Sequence, residues 1–207
     1  MPNSSSIVTN VNIQDYFHAQ IEASLAHQQV ALGLPTVHYL ARLLADFTNP
    51  QQLFAQTAQG WELKPLAMHY ADAVYAEGAH QRNVALKRLG DIALFISGMF
   101  AGSLARKVVA VDYYVAMGGG AYRDLHALLT SHLGDSLTPT PFAELATKFI
   151  ALIDVLGEVA EESHLGIKHD VLRDYEMWLH TSSPRALRKL NCAGVLPSRA
   201  ALSFVRH

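Results

Sequence analysis

The feature that most constrains the fold is an apolar segment in the middle of the chain, from Ile92 to Tyr122. It begins with IALFISGMFAGSLA, Ile92–Ala105, a run of 14 residues without a charge. Fourteen residues are too few to span a bilayer, which takes about 20. A helix that is apolar nearly all round must instead be covered by other parts of the protein. The segment therefore predicts a buried central helix pair, and no membrane span.

The rest of the chain has helical rather than strand spacing. Ile13, Phe17, Ile21 and Leu25 recur every four residues and predict a helix over Asn12–Leu32. There is no sustained alternation and no Asn-Gly or Asp-Gly hairpin turn. Further helices are predicted at Thr36–Phe47, from Pro50, at Pro65–Tyr75, from Gln81 through the apolar run, up to Met117, and at Tyr122–Leu133, Phe142–Ser163, His169–His180 and Pro184–Leu190, with AQGWELKP (58–65) as a loop.

These patterns predict one all-α domain over 1–207, a bundle of about eight or nine helices around a central apolar pair. A flexible N-terminal segment is expected at 1–11 and a basic tail at 191–207. The basic side chains from residue 181 onwards are Arg185, Arg188, Lys189, Arg199 and Arg206, with no acid among them. Between residues 142 and 176, acidic residues outnumber basic ones by eight to three. The basic end therefore either docks on that acidic helix or binds an anionic partner.

Composition excludes several classes of protein. Half of the residues are hydrophobic and 16% are charged, which excludes a disordered chain. A formal net charge of −2 gives no electrostatic case for binding nucleic acid. The single cysteine, Cys192, excludes an internal disulfide and a cysteine-based zinc site. With no signal-peptide pattern at the N-terminus, a cytoplasmic location is expected.

Three consecutive glycines, Gly118, Gly119 and Gly120, stand between two apolar helical runs. The favoured interpretation is a helix break, in which Gly118 takes a positive φ and ends one helix. The alternative is an anion cradle, in which the glycine N–H groups face a ligand at the start of the next helix. No GxGxxG pattern and no Walker lysine accompany them.

Two carboxylates, Asp91 and Asp112, lie in or beside the least polar part of the chain. A buried carboxylate must be paired or hydrogen-bonded, or its pKa rises. A structural role and a ligand-binding role are both open for them. The side chains available as partners nearby in the sequence are Arg88, Arg106, Lys107, Tyr113 and Tyr114.

Two Glu-x-x-His pairs, Glu77 with His80 and Glu161 with His164, suggest a metal site. This spacing places both ligands on one helix face, as in ferritin-like proteins that bind two iron or manganese ions. The remaining carboxylates would come from Glu22 and from Glu144 or Glu158. A mononuclear site is a second alternative, with the ligands His18, Glu22, His69 and Asp72.

The segments LGDIALFISGMF (89–100) and VDYYVAMGGGAY (111–122) are similar to a pattern found in uncharacterised helical proteins of bacteria. The resemblance covers the middle third of the chain and implies a bacterial, cytosolic, all-helical protein without a defined activity. The leading hypothesis is a soluble binding or regulatory protein without a cofactor, engaging a partner protein or a small apolar ligand. Whether it is an enzyme, and whether it forms a homo-oligomer, stay open. The alternatives are a di-iron or di-manganese oxidase and a peripheral membrane protein.

Overall fold

Ten helices and one short hairpin make up the part of the chain that the computed structural model describes, which is residues 12–57, 60–100, 111–133, 140–163 and 171–198. Nine of these helices have seven or more residues, so the predicted all-α multi-helix fold is confirmed. The elements are α1 (Ile13–Gln28), α2 (Leu34–Phe47), α3 (Pro50–Leu53), β1 (Ala55–Thr57), β2 (Gly60–Glu62), α4 (Leu66–Val74), α5 (Ala79–Met99), α6 (Val111–Leu133), α7 (Pro141–Thr147), α8 (Phe149–Glu162), α9 (Val171–Thr181) and α10 (Pro184–Cys192).

Polar side chains cap the N-terminal ends of α3 and α10. The Asn49 side chain accepts a hydrogen bond from the Gln51 backbone N–H, and Pro50 occupies the first turn of α3. The Ser183 hydroxyl accepts from the Ala186 N–H and begins α10. Each of these oxygens satisfies an N–H group that has no partner inside its own helix.

Helices α5 and α6 form the centre of the bundle. Every residue of α5 from Leu89 to Met99 is buried, and the helix packs on α4, α6 and α8. Helix α8 contributes the apolar stripe that its spacing predicts, with Phe149, Leu152 and Leu156 all in the core. The central apolar pair is therefore the organising element of the fold.

Helix α1 packs against α8, although the two helices are far apart in sequence. The Ser24 hydroxyl donates to the Val155 carbonyl oxygen at 3.2 Å, across 131 residues of chain. The Gln28 amide donates to the Glu158 Oε2 at 2.6 Å on the same side. These contacts between α1 and α8 join the N-terminal and C-terminal halves of the described bundle.

The prediction of a helix break at the three glycines is wrong. Helix α6 runs without interruption from Val111 to Leu133, and Gly118 does not have a positive φ. Its role is close approach, because a Cβ there would lie 2.5 Å from Cζ of Phe149 and 2.7 Å from Cβ of Ala93. An N–H in the interior of a helix is bonded within that helix, so the glycines cannot form an anion cradle either.

Three smaller differences concern element boundaries. The stretch at 58–65 was expected to be a loop, but part of it belongs to the antiparallel β1–β2 pair. The helix expected over Phe142–Ser163 is two helices, which meet at Lys148 with φ −104° and ψ 16°. Helix α1 ends at Gln28, where Gln29 takes a left-handed conformation, rather than continuing to Leu32.

Candidate functional site

Asp91 is the centre of a buried polar cluster that joins three helices. It lies in the interior of α5 and is 6% exposed. Its Oδ1 accepts hydrogen bonds from the hydroxyls of Tyr39, at 2.5 Å, and Tyr122, at 2.7 Å. Its Oδ2 accepts from the Lys87 ammonium group at 2.7 Å. Both carboxylate oxygens are therefore engaged by donors from the protein itself.

Gly90 makes this cluster sterically possible. A Cβ at Gly90 would lie 2.6 Å from Cε1 of Tyr122, closer than such atoms approach in proteins. Because Gly90 has no side chain, the Tyr122 ring packs closely on α5 and its hydroxyl reaches Asp91. The ring is fully buried and stacks on Phe142, which also meets the Tyr39 ring edge-on.

The two tyrosines keep their protons in this setting. Burial, followed by the negative charge of Asp91, raises the pKa of the Tyr122 hydroxyl well above its usual range. The same two causes raise the pKa of Tyr39. Both hydroxyls are therefore donors to the carboxylate, and charge-assisted hydrogen bonds of this kind are stronger than neutral ones.

Asp91 and Tyr39 lie at a cleft of about 290 Å³ between α2 and α5. The lining combines apolar side chains with charged groups of both signs. The residues are Tyr39, Arg42, Leu43, Asp46, Phe47, Gln52, Val84, Lys87, Arg88 and Asp91. A concave site with apolar walls and a few fixed polar groups is the usual form of a small-molecule site.

The cationic groups of the cleft are held in different ways. The Lys87 ammonium lies 5.1 Å from the centroid of the Tyr39 ring, in addition to its contact with Asp91. The Arg88 guanidinium lies 5.3 Å from the centroid of the Phe47 ring and donates to the Gln52 carbonyl oxygen. Aromatic faces at these distances attract cations and fix their orientation.

The other residues proposed for ligand binding are not part of this cluster. Asp112 lies at the start of α6 and is exposed, so the expectation that it would be buried in the apolar centre is wrong. Its Oδ2 lies 3.9 Å from Nδ1 of His180, so the carboxylate has a partner at the surface. Tyr113 and Tyr114 follow it and contact each other, with ring centroids 5.9 Å apart. The ten residues from Asp112 to Tyr122 span about 15 Å of helix, which separates this end of α6 from Asp91.

The structure does not bring the proposed metal ligands together. Glu77 and His80 are exposed at the N-terminal end of α5. Glu161 belongs to α8, which packs on the C-terminal end of α5 at Gly98. Twenty residues of helix separate these ends by about 30 Å. Glu161 is instead paired with Arg185 and Lys189, each at 2.6 Å.

The remaining metal candidates fall into pairs. His164 lies outside the described residues, and Glu22 is 3.5 Å from His18. His69 and Asp72, the other half of the mononuclear alternative, are 4.0 Å apart. Among the residues that the structure describes, no group of three or more His, Cys, Asp or Glu side chains is placed to hold a metal ion.

Two surface questions raised by the sequence also have structural answers in the described ranges. The basic helix α10 lies against α8, where Arg185 and Lys189 bind Glu161, while Arg199 and Arg206 lie outside the described residues.

The apolar residues Ile92–Met99 are buried in the core, so this fold does not offer them to a membrane surface. Within the described helices, none is long and apolar enough to cross a bilayer.

Sequence reasoning found Asp91 but not the partners that define its cleft. Lys87 has a local signal, because it stands four residues before Asp91 on the same helix face. Tyr122 belongs to the segment of resemblance but was not linked to Asp91. Tyr39 is 52 residues away, and nothing local connects it to α5. Comparisons with family models, with curated proteins and with solved structures found no match to this chain.

Proposed function

We propose that the protein is a helical binding protein that holds a small ligand in the cleft over Asp91. The observation that carries the proposal is the buried Asp91 cluster at the cleft, where one carboxylate fixes two tyrosine hydroxyls and a lysine. Preorganised polar groups beside apolar walls favour binding, because little side-chain freedom is lost when a ligand enters.

The role of Asp91 in this proposal is to position other side chains. Its oxygens already accept three hydrogen bonds, so it holds Tyr39 and Lys87 in place rather than taking a proton from a ligand. The apolar side of a ligand would lie on Leu43, Phe47 and Val84. A volume of about 290 Å³ suits a molecule built on one substituted aromatic ring, since pockets for larger ligands extend to about 1,000 Å³.

The test uses a neutral probe and a variant that fills the cleft. Benzamide titrated into labelled protein should shift the backbone amide signals of α2 and α5 in a saturable manner. Val84→Trp should abolish these shifts, because Val84 lines the cleft and a tryptophan there occupies it. Val84 is 55% exposed, so the change does not disturb the core.

Val74→Trp is the matched control. Val74 is 56% exposed on α4 and does not line the cleft, so this variant should bind benzamide as the wild type does. Absence of saturable shifts in the wild type would contradict the proposed function. Shifts of equal size in Val84→Trp would place the probe elsewhere and contradict it as well.

A further inference from the structure

The guanidinium of Arg88 is half-buried at the cleft, and no carboxylate in the described part of the chain is in contact with it. Its donor contact is with the Gln52 carbonyl oxygen, and its plane is held against the Phe47 ring. Among the described residues, no carboxylate lies within 4.0 Å of it. Since a guanidinium carries five N–H donors, most of its hydrogen-bonding capacity is unused by these contacts.

Burial makes this arrangement costly for a cation. Desolvation lowers the pKa of Arg88, and the nearby charge of Asp91 opposes that shift without forming an ion pair. Asp91 is itself bound to Lys87 and to two tyrosines, so its charge is already compensated. An anion brought into contact with Arg88 would recover the stabilisation that burial removes.

A second arginine lines the same cleft. This is Arg42, and its contact with Asp46 is a loose one at 3.8 Å between two side chains that are 76% and 60% exposed. An exposed pair of this kind contributes little to stability, so Arg42 can turn to another anion. The cleft thus holds three cationic side chains and two carboxylates. Lys87 and Asp91 pair with each other, which leaves two arginines against Asp46.

We infer that the ligand of this cleft carries an anionic group, a carboxylate or a phosphate, bound by Arg88 together with Arg42. The inference rests on the proposed function and specifies the class of its ligand. The planar guanidinium fork matches both anions, which it binds through two parallel hydrogen bonds. The apolar part of the same ligand then lies on Phe47, Leu43 and Val84.

Benzoate and benzamide test the inference because they have nearly the same shape and differ in charge. Benzoate should bind about tenfold more tightly, since hydrogen bonds to charged groups contribute about twice as much as neutral ones. The benzoate affinity should fall with added salt, and the benzamide affinity should not. Phenyl phosphate, compared in the same assay, distinguishes a phosphate ligand from a carboxylate by which of the two anions binds more tightly.

Arginine variants connect the preference to the cleft. Arg88→Gln and Arg42→Gln should each remove most of the preference for benzoate over benzamide, measured as the ratio of the two affinities in the same variant. Arg82→Gln is the matched control, because Arg82 is exposed on the same helix and does not line the cleft. Arg42→Gln guards against an indirect effect of Arg88 on the fold, since the contact of Arg42 with Asp46 is loose and exposed.

The outcomes separate the inference from the proposed function. Equal binding of benzoate and benzamide would overturn the anion inference and leave the binding function standing. A benzoate preference that survives in both arginine variants would also overturn it. Failure of benzamide to bind would contradict the binding function, and the inference, which rests on that function, would fall with it.

Discussion

Two aspartates, Asp91 in α5 and Asp154 in α8, are equally buried and differently accommodated. Asp91 is 6% exposed and accepts hydrogen bonds from two tyrosines and a lysine. Asp154 is 5% exposed, and both of its oxygens lie 2.7 Å from one hydroxyl, that of Ser183. Burial raises the pKa of Asp154, and Ser183 and the nearby Arg185 only partly oppose that shift. The depth of burial therefore does not determine how well a carboxylate charge is tolerated; its donors do.

The largest expected effect comes from making the same substitution at both positions. Asp91→Asn should lower the free energy of unfolding by about 2–3 kcal/mol, because charge-assisted bonds are lost and the new amide NH₂ faces the Lys87 ammonium. Asp154→Asn should leave that free energy unchanged or raise it at pH 7, because an amide oxygen still accepts from Ser183 without a buried charge. Urea unfolding of both variants measures the difference, and equal losses would refute the comparison.

The pH dependence of the Asp154 variant sharpens this result. Because its pKa is raised by folding, the folded protein binds the Asp154 proton more tightly than the unfolded chain does. Its contribution to stability is therefore largest below the ordinary value of 3.8 and is lost as pH rises through the raised pKa. The stability of Asp154→Asn relative to the wild type should rise from pH 4 upwards, and parallel curves would contradict the shift.

An intermediate effect is expected from the glycines that bring α6 close to α5 and α8. Gly118→Ala should destabilise by about 2 kcal/mol, because its Cβ overlaps Phe149 and Ala93 in a packed core. Gly120→Ala is the matched control on the same helix, where a Cβ would meet nothing within 4 Å. It should stabilise by about 0.5–1 kcal/mol through helix propensity. Thermal unfolding compares the two, and a loss at both positions would indicate a conformational rather than a packing role.

The smallest change in the free energy of unfolding is expected from the ion pairs between α8 and α10. Glu161→Gln should cost about 1 kcal/mol, since Glu161 binds Arg185 and Lys189 at a partly exposed site. The loss should shrink with added sodium chloride, unlike the Asp91 effect, because exposed charges are screened. Glu162→Gln is the neighbouring control on the exposed face. Equal losses from the two variants would mean that the ion pairs with α10 contribute nothing measurable.

The helical fold and the buried positions could be predicted from the sequence because they depend on the spacing of apolar residues along the chain. The apolar stripe of α8 and the buried run of α5 follow from the positions of their own residues. The helix break predicted at Gly118–Gly120 is wrong because the sequence shows that side chains are missing but not which neighbouring side chains fill the space. The ring of Phe149 fills the space beside Gly118, and this neighbour comes from another helix.

The candidate site was predictable to the extent that its contacts are local. Asp91 was recognisable as a carboxylate in an apolar run, and Lys87 stands one turn before it. Tyr39 and Phe47 belong to α2, and their place at the cleft depends on how α2 packs against α5. Asp154 carried a similar signal, a carboxylate between Ile153 and Val155 in the stripe of α8, and was not singled out.

The contact between α1 and α8 has a consequence for synthesis of the chain. Ser24 and Val155 are 131 residues apart, so at about 5–20 residues per second the ribosome needs roughly 7–26 s to make the partner of α1. During that interval α1 can pack on α2, but the part of its apolar surface that α8 covers is still exposed. Helix α1 is therefore completely covered only after α8 has been made, and a nascent chain of this protein should expose part of α1 to chaperones until α8 emerges.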